Sequence, residues 1–505
     1  MVSRIQLLAP FEQALEQTHK PKDRSLYSAG AMFRQRVFAH ICGFEDLADH
    51  DVITEDEGFL SALGVNDAAG SSTLCRFENS ITRHDLDRLN CCFLDALLRA
   101  NRKHRIFPRA GARKTPVLII DVDSTHVDLY GNQEGKSYNA HYQCNCLAPV
   151  VCFLNGWPLA VFNAGGTTDA RREFEHHVER LFMRLTAAFP NHKFLLRADS
   201  GFNSNKIIDT CNEYKVGYVI GFSPNPKTQK MVKENGLKNP RRKMVKRYTT
   251  TGMAHRTIGE LVNYKAKSWK QERRLIARRQ HDARTNQMDL RLIQTNIKHV
   301  KKGEDGWYGK YSEYGAAKLY EDLYCGRAAD CELNIAEFKT DCFGGRASST
   351  RFCTNGYRMI LGMVTLLVLK LARHYLFGVV KESAKKAVRV SIARLRATVI
   401  LVTAKWSSTM NTVRLTLPSV LPGARELGAL FKIPILGRLS VPDSQSVPSG
   451  VGGNAPKIEL RVNFCHDAPR IFSHFDLAPA CLSEKSSWCK IQVSKSTNSQ
   501  RKECP

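Results

Sequence analysis

The sequence predicts an α/β fold, with a mixed β-sheet core, a helical N-terminal domain, a basic β-rich insertion and a helical C-terminal part. Three observations predict it. In residues 1–110, apolar residues recur at helical spacing, as in FRQRVFAHICGF and LNCCFLDALLRA. From Pro116, short apolar runs alternate with amphipathic stretches in the order β-β-β-α-β-α-β. From Pro224 the chain is strongly basic, and helices resume near Ala316.

The N-terminal segment contains two helices of different expected roles. Asn90 to Ala100 has the apolar spacing of a core-facing helix. Ser71 to Asn79 is a shorter stretch in which Ser72 or Thr73 caps a helix that presents Arg76 to solvent. A DNA-reading helix is one interpretation. A short helix that joins two larger ones is the better one, because a single arginine is thin support for groove recognition.

The sheet core is predicted from five strands and two crossover helices. Arg171 to Phe189 places its apolar residues on one face, and Asn205 to Tyr214 is the second helix. This layout is that of RNase H-like nucleotidyl transferases, although the order of elements also suits other α/β folds. The strands are Val117–Asp121, Ala148–Phe153, Pro158–Phe162, Lys193–Ala198 and Gly217–Gly221.

The net charge of the chain restricts the class of its expected binding partner. The 505 residues include 75 Lys and Arg against 48 Asp and Glu, a formal charge of +27. Such a balance favours DNA, RNA or an anionic membrane surface, with DNA the leading candidate. Residues 224–279 hold 17 basic and 3 acidic residues, a net 17 − 3 = +14, so most phosphate contacts are expected there, at a run formed by Arg241, Arg242 and Lys243.

Aromatic residues are interleaved with these charges. Base or sugar stacking is one interpretation, and core packing of a small β insertion is the favoured one. The residues are Tyr248, Tyr264 and Trp269. Asp289 to Ile297 then returns to the alternation of a strand.

No membrane span or secretion signal is expected. The longest apolar run, Met359 to Leu369, is shorter than the ~20 residues of a membrane span and suits a buried helix. Glu12 and Glu16 follow closely on a brief apolar stretch at the start, without a convincing cleavage site, so a cytoplasmic location is expected.

The 16 cysteines include the CxC of Cys144 and Cys146 and the adjacent Cys91 and Cys92, but no CxxC pair with zinc-finger spacing. Reduced, mostly structural thiols are the expectation for the cytosol. Near the C-terminus, Arg351 to Ala372 and Val388 to Lys405 are predicted as helices. After Pro434 the chain is rich in Pro, Ser and Gly, which predicts a flexible tail.

Three carboxylates stand at the ends of separate elements. Asp123 and Asp199 follow apolar runs and precede small polar residues, as expected of strands that end in loops. Glu332 lies in a helical stretch with Ile335 and Lys339. An all-oxygen set of ligands suits hard cations such as Mg²⁺, so the three predict a divalent-metal site for cutting or joining DNA.

These motifs resemble those of bacterial DDE-type insertion-sequence transposases. The resemblance is closest to the insertion-sequence thirteen-eighty group, which belongs to the broader set related to the fourth insertion-sequence family. QRVFAHICGFEDLADHD and STLCRFEN resemble the N-terminal blocks of that group, and IIDVDST, LRADSGF and RFCTNGYRMIL resemble its later blocks. The resemblance covers roughly residues 26–431. Each motif is weak alone, but their order and spacing together are specific.

The family carries a Tyr, Arg, Glu and Lys signature around its third acidic residue, which Tyr324, Arg327, Glu332 and Lys339 match. One spacing departs from the pattern. Arg327 and Glu332 have four residues between them where the family has three, and one residue turns a helical side chain by about 100°. Arg327 is therefore expected on a different side of the helix, relative to Glu332, from its counterpart in the family pattern.

The resemblance implies a mechanism and partners. Asp123, Asp199 and Glu332 would hold two Mg²⁺ or Mn²⁺ ions for hydrolysis and strand transfer. Lys339 and Arg327 would grip phosphates near the transposon end, and Tyr324 would contact the terminal nucleotides. Double-stranded DNA and a synapsed homodimer are the expected partners, and the terminal inverted repeats are the expected binding sites.

Other charged residues compete for these roles. Asp121 shares a strand face with Asp123, which is favoured because the family's catalytic Asp directly precedes Ser-Thr. Arg197 has three open interpretations: lowering the pKa of Asp199, meeting DNA, or pointing to the opposite face of its strand. The remaining acidic residues are expected at the surface or in solvent; they are Asp330, Glu337, Asp128 and Glu134.

The expected organisation is a DNA-binding N-terminal domain (1–112), the first part of the catalytic core (113–223), the insertion (224–300), the helical remainder of the core (301–378), a basic helical region (379–434) and the tail (435–505). Two alternatives to an active transposase stay open. One is a decayed or repurposed transposase that binds DNA without cutting it. The other is a host nuclease or junction resolvase on the same fold, which the large helical N-terminal block disfavours.

Overall fold

Nine strands of one mixed sheet organise the protein. The computed structural model describes residues 6–20, 26–111, 115–246, 253–281, 288–301, 307–378, 390–400, 405–409, 412–417, 458–463 and 491–495. Its first twelve strands are β1 (Val117–Ser124), β2 (Val127–Asp128), β3 (Ser137–Asn139), β4 (Cys144–Leu147), β5 (Val150–Leu154), β6 (Trp157–Phe162), β7 (Lys193–Ala198), β8 (Gly217–Phe222), β9 (Lys238–Lys246), β10 (Met253–Leu261), β11 (Arg274–His281) and β12 (Met288–Thr295). The large sheet has the order β6-β5-β1-β7-β8-β12-β11-β10-β9.

Six helices precede the sheet in the described part of the chain. They are α1 (Ala9–Thr18), α2 (Ala29–Cys42), α3 (His50–Ile53), α4 (Glu57–Leu63), α5 (Ser71–Ser80) and α6 (Arg83–His104). A capping box of Thr82 and Asp85 begins α6, which contains the core-facing helix predicted at its centre. The N-cap of α5 is Gly70, so the predicted cap at Ser72 or Thr73 is wrong.

The predicted order of strands and crossover helices is confirmed. Helix α7 (Ala170–Ala188) links β6 to β7, and α8 (Asn205–Glu213) links β7 to β8. Strands β1, β7 and β8 run parallel, whereas β5 is antiparallel to both β1 and β6. Burial on both faces explains the continuous apolar runs by which these strands were recognised.

The insertion extends the same sheet. After α9 (Pro226–Glu234), strands β9 to β12 form an antiparallel meander that joins the core where β12 pairs with β8. The predicted strand at Asp289 to Ile297 corresponds to β12. Tyr264 and Trp269 are buried against Phe222, so core packing is confirmed as their role. Tyr248 lies outside the described residues.

The C-terminal helices pack on two different parts of the core: Ala316 to Leu323 with Leu195 and Val219, and the long helix Phe352–Gly378 with the N-terminal helices. They are α10 (Ala316–Lys318), a π-helical turn (Leu319–Tyr324), α11 (Gly326–Ala336), a second π-helical turn (Glu337–Asp341), α12 (Phe352–Gly378) and α13 (Ile392–Leu395). The predicted helix Val388 to Lys405 is wrong in part: a π-helical turn (Arg396–Ile400) follows α13, and Lys405 begins a strand.

Helix α12 is long and apolar enough to suit a membrane span by length and composition, but 83% of its apolar window is buried inside the protein. It packs on α2, α6 and β6 in one hydrophobic core that includes Phe33 and Phe93 of the N-terminal helices. Glu78 of α5 is fully buried and accepts hydrogen bonds from Arg36 of α2 and Arg358 of α12. The N-terminal block is therefore packed onto the core as one body.

Two smaller sheets complete the described structure. Strands β2, β4 and β3 form a three-stranded sheet directly after β1. Strands β13 (Lys405–Thr409), β14 (Thr412–Leu417), β15 (Ile458–Asn463) and β16 (Ile491–Lys495) form a four-stranded antiparallel sheet. Two of these strands fall within the predicted flexible tail and correct that prediction for their own residues; the rest of 435–505 lies outside the described residues.

Candidate active site

Asp123 and Asp199 stand side by side at the carboxyl ends of two parallel strands. The register of β1 and β7 pairs Asp121 with Arg197 and Val122 with Ala198, so Asp123 and Asp199 are one step further along both strands. Strand β1 extends to Ser124, three residues beyond its predicted end. Carboxyl ends of adjacent parallel strands are the usual place for a site in an open α/β sheet.

The two carboxylates interact electrostatically. Burial raises the pKa of Asp123, and the negative charge of Asp199 raises it as well. Asp199 is held by its own turn, where its Oδ1 accepts a hydrogen bond of 2.9 Å from the backbone amide of Gly201. The pair is therefore a local concentration of negative charge in a partly buried setting.

Arg327 of α11 supplies the counter-charge. Its Nη1 donates a hydrogen bond of 2.5 Å to Oδ2 of Asp123, and both side chains are largely buried, with 13% and 14% of their surface exposed. Burial alone would lower the pKa of Arg327, but Asp123 and Asp199 hold it above its ordinary value. The sequence expectation gave Arg327 a phosphate partner, whereas the structure gives it a carboxylate.

Asp121 is satisfied by a different arginine. Arg197 donates from Nε and Nη2 to the two carboxylate oxygens of Asp121, at 2.7 and 2.8 Å, and from Nη1 to the backbone oxygen of Leu323. Asp121 is 1% exposed and Arg197 is 5% exposed. Of the interpretations left open for Arg197, the opposite-face one is wrong, and a DNA contact does not suit so buried a guanidinium. Asp121 is thus fixed through both carboxylate oxygens, whereas Asp123 accepts a side-chain hydrogen bond from Arg327 at one oxygen.

Tyr324 lies against the turn that carries Asp199. A Cβ atom on Gly221 would come within 2.8 Å of the Tyr324 hydroxyl and 2.9 Å of the backbone carbon of Asp199, so only glycine allows this approach. Burial raises the pKa of Tyr324, and Asp199 raises it further. Tyr324 and Arg327 of the signature therefore both border the two aspartates.

Glu332 is not brought to the aspartates. It is exposed, and its side chain makes no hydrogen bond or ion pair with the residues that the structure describes. Helix α11 is regular between Arg327 and Glu332, and five residues at about 100° each place Glu332 about 140° around the helix from Arg327. The extra residue between Arg327 and Glu332 rotates Glu332 around the helix, and neither π-helical turn compensates for this rotation. The two turns lie before Arg327 and after Glu332.

Lys339 lies beside a different group of side chains. Burial lowers its pKa, while Asp128, Cys144 and Cys146 oppose that shift. It is therefore adjacent to the small sheet that follows β1. Its side chain is half-buried at this position.

The predicted DNA contacts of the insertion lie on β9, the edge strand of the large sheet. Arg241, Arg242 and Lys243 are all exposed, and alternate faces of the strand present them. Lys243 forms an ion pair with Glu321, which Arg256 also approaches. In α5, the side chain of the exposed Arg76 donates a hydrogen bond to Thr73 of its own helix.

The other acidic residues have varied settings. Asp128, Glu134 and Asp330 are exposed, as expected. Glu337 is buried and accepts hydrogen bonds from Arg373, so the surface position predicted for it is wrong. The sequence pattern of the helix did not predict the Glu337–Arg373 ion pair, because Arg373 lies 36 residues further along the chain.

Tyr142 is a site residue that the sequence did not reveal. Burial raises its pKa, and Asp123 and Asp199 raise it as well; its ring lies 4.4 Å from that of His126. It comes from the loop between β3 and β4, where an isolated aromatic residue carries no recognisable pattern.

The donor chemistry of the two aspartates fits a hard divalent cation. Both offer carboxylate oxygens, and a cation between them would offset both the burial that raises the pKa of Asp123 and the repulsion from Asp199 that adds to it. Asp123 and Asp199 would hold such an ion. Within the described residues, the one group of three His, Cys, Asp or Glu ligand atoms that all lie within 4.8 Å of one another is a different one, formed by His126, Asp128 and Cys144.

Of the comparisons with known proteins, the match to a family model identifies the family of the chain. No curated protein matches the chain. A cryo-EM structure of a piggyBac transposase synaptic complex with hairpin DNA is similar at 12% sequence identity, over 78% of this chain and 76% of that one; its TM-score of 0.36 is too low to support an argument from fold. The family model described as transposase DDE domain group 1 matches residues 1–437. The chain therefore belongs to the DDE transposase family.

Proposed function

We propose that the protein is a cut-and-paste DNA transposase that binds the terminal inverted repeats of its insertion sequence, cleaves DNA strands there and joins them to target DNA. The observation that carries the proposal is the pairing of Asp123 with Asp199 at the ends of adjacent parallel strands. Two carboxylates in this position, in a chain of the DDE transposase family, are a suitable site for phosphodiester chemistry with a divalent metal.

The sheet supports an RNase H-like catalytic core. In the order β6-β5-β1-β7-β8, the only antiparallel strand is β5, the second from the edge. Helices α7 and α8 connect β6, β7 and β8 in sequence. Strands β9 to β12 are then an extension of that core at the β8 side.

Each site residue has a proposed role. Asp123 and Asp199 bind Mg²⁺ or Mn²⁺, and Glu332 supplies a third carboxylate once α11 turns it toward them. A pair of bound ions supplies activation of water or a 3′-hydroxyl and stabilisation of the leaving oxygen. Arg327 neutralises Asp123 and turns to a DNA phosphate when a cation replaces it, and Lys339 and Tyr324 contact DNA next to the site.

The proposed partners are double-stranded DNA and a second copy of the chain. The exposed Arg241 and Arg242 on the edge strand are suited to phosphates, with Lys243 and the more distant Arg76 as further contacts. We propose a homodimer in the synaptic complex and a bacterial cytoplasmic location, with no membrane partner. The thirteen-eighty group is the proposed subfamily.

A cleavage assay tests this proposal. Purified protein is incubated with linear DNA that carries the end of its element, first with Mg²⁺ and then with excess EDTA. We expect nicks at the end of the element with Mg²⁺ and none with EDTA. Cleavage that is equally fast in EDTA would contradict a metal-dependent site.

A second candidate function is a catalytically decayed transposase that binds DNA without cutting it. The exposed Glu332 and the Arg327–Asp123 ion pair favour this candidate, because the third carboxylate is turned away and the first is already paired. It predicts metal-independent binding of the element end with no nicking under any divalent metal.

A further inference from the structure

A cluster of metal-binding side chains lies directly after the candidate active site. His126 and Asp128 flank the start of β2, three and five residues after Asp123, and Cys144 begins β4. Ligand atoms of His126, Asp128 and Cys144 all lie within 4.8 Å of one another. Asp128 and Cys144 come from two paired strands of one small sheet, and His126 directly precedes the first of them, so their proximity follows from strand pairing.

Cys146 adds a fourth donor to this group. It is two residues after Cys144 on β4, so both side chains point to the same face of the strand. The register pairs Cys146 with Asp128, and Cys144 contributes to the raised pKa of Cys146, after burial, its largest cause. The cluster thus offers one imidazole nitrogen, one carboxylate oxygen and two sulfurs.

We propose that His126, Asp128, Cys144 and Cys146 bind one Zn²⁺ ion. Zinc favours four-coordinate tetrahedral sites built from Cys, His and carboxylate ligands, with bonds of about 2.0–2.3 Å. Such bonds put ligand atoms about 3.3–3.8 Å apart. The spread of up to 4.8 Å among His126, Asp128 and Cys144 therefore closes by side-chain movements of about 1 Å. Mg²⁺ is disfavoured at this position because it prefers oxygen ligands alone.

The charges around the cluster balance with zinc present. Two thiolates and one carboxylate carry −3, and a zinc ion brings the total to −1. The ammonium group of Lys339, which interacts with Asp128 and both cysteines, offsets the remainder. Without a metal, burial raises the pKa of both thiols, so the cluster holds neutral thiols whose protons leave when the ion binds.

The proposed ligands combine a buried side chain with side chains that solvent, and hence an ion, can reach. Cys146 is fully buried, whereas His126 and Cys144 are partly exposed and Asp128 is exposed. The ring of Tyr142 packs at 4.4 Å against His126 and restricts its orientation. Zinc at this position would tie β2 to β4 and fix the loop that follows Asp123. The proposed site is structural and does not depend on the proposed cleavage chemistry.

Cobalt substitution of the full chain tests the proposal. Co²⁺ is added to metal-free, reduced protein, and the absorption band of cobalt bound to thiolate is titrated in the wild type and in Cys144→Ser, Cys146→Ser and Asp128→Asn variants. Cys75→Ser serves as the control, because Cys75 is an exposed thiol on α5. The difference between variant and wild type is the readout, since four further cysteines lie in residues 435–505.

We expect Cys144→Ser and Cys146→Ser to bind one equivalent of Co²⁺ less than the wild type, with a weaker thiolate band, and Cys75→Ser to equal the wild type. Asp128 is exposed, so the Asp128→Asn variant should fold normally. We expect its Co²⁺ affinity to be at least tenfold lower than that of the wild type. Zn²⁺ should raise the melting temperature of the wild type more than that of Asp128→Asn. Equal Co²⁺ stoichiometry and affinity in wild type and Asp128→Asn would overturn the proposal, as would an unchanged band in a folded Cys144→Ser.

Discussion

Arg327 donates a hydrogen bond of 2.5 Å to Asp123, which joins residues that are 204 positions apart in the chain. The guanidinium stands where a metal ion is expected to neutralise the same carboxylate. A cation at Asp123 and the Arg327 ion pair therefore compete for one oxygen. Because α11 carries Arg327, the position of this helix decides whether Asp123 is paired with the guanidinium or is open to a cation.

The first prediction concerns that competition. In EDTA, Arg327→Ala leaves the largely buried Asp123 without its counter-charge, so we expect a loss of about 1–3 kcal/mol in the free energy of unfolding. Added Mg²⁺ should stabilise this variant more than the wild type, because the cation no longer has to displace a guanidinium. Urea unfolding with and without Mg²⁺ measures both effects. Arg102→Ala, at an exposed position of α6, is the control, and a Mg²⁺ effect equal in the variant and the wild type would refute the competition.

The second prediction concerns the third carboxylate. Glu332→Gln keeps the size of the side chain and removes its charge, and we expect cleavage of the element end to slow by about 100-fold or more while DNA binding is retained. Asp330→Asn is the matched control on the same helix and should cleave at the wild-type rate. Gel-shift and nicking assays on both variants separate binding from chemistry. Loss of cleavage in Asp330→Asn together with normal cleavage in Glu332→Gln would reverse the assignment.

The third prediction concerns the edge strand β9. Each phosphate contact contributes about 0.9 to the slope of log affinity against log salt concentration. Arg241→Ala with Arg242→Ala should therefore lower that slope by about 1.8 and weaken binding to DNA of any sequence. Arg102→Ala with Lys103→Ala removes the same charge at the end of α6 and is the control. An unchanged slope in the β9 variant would exclude both arginines as phosphate contacts.

The fourth prediction concerns the stability of the N-terminal block at acidic pH. Burial, together with the charge of Arg36, lowers the pKa of His50 to about 3. Below pH ~6.5 the unfolded chain binds a proton at His50 that the folded protein does not bind, so the stability present above that pH is lost as the pH falls. We expect His50 to account for a loss of about 2 kcal/mol between pH 7 and pH 5.

Urea unfolding at both pH values measures this loss in the wild type and in His50→Gln. The variant should lose about 2 kcal/mol less than the wild type over the interval. Gln retains a polar side chain beside Gln35 and Arg36, which both contact His50. An identical pH dependence in the two proteins would show that His50 titrates normally in the folded state.

The sequence allowed prediction of the elements around Asp123 and Asp199 because burial on both faces makes strands β1, β7 and β8 continuous apolar runs. Their order and the two crossover helices are confirmed to within a few residues. The joining of β12 to β8 was not predictable in the same way, since strand pairing depends on which edges are available and leaves no local pattern.

The site was harder to predict than the fold. Which aspartate of β1 is suited to bind a metal ion depends on the partner of each: Asp121 faces Arg197 across the β1–β7 register, and Asp123 meets Arg327 from a distant helix. Neither contact follows from spacing. The one-residue departure between Arg327 and Glu332 did carry structural information, because a regular helix over that interval turns Glu332 outward.

The cysteines illustrate the same limit. Cys144 and Cys146 were interpreted as structural thiols because zinc-finger spacing is absent. Their neighbours His126 and Asp128 lie about 20 residues earlier in the chain and become adjacent only through the pairing of β2 with β4. A metal-binding group built across strands is therefore invisible to a search for local motifs.

The most direct test of the account is the rate of DNA cleavage in Asp123→Asn and Asp199→Asn, measured under single-turnover conditions with Mg²⁺ on the element end. Each variant removes one carboxylate charge from the paired site. We expect both variants to lose cleavage by at least about 1000-fold while they bind the same DNA, and Asp322→Asn, at an exposed position, to cleave as the wild type does. Cleavage at the wild-type rate in either Asp123→Asn or Asp199→Asn would contradict this expectation.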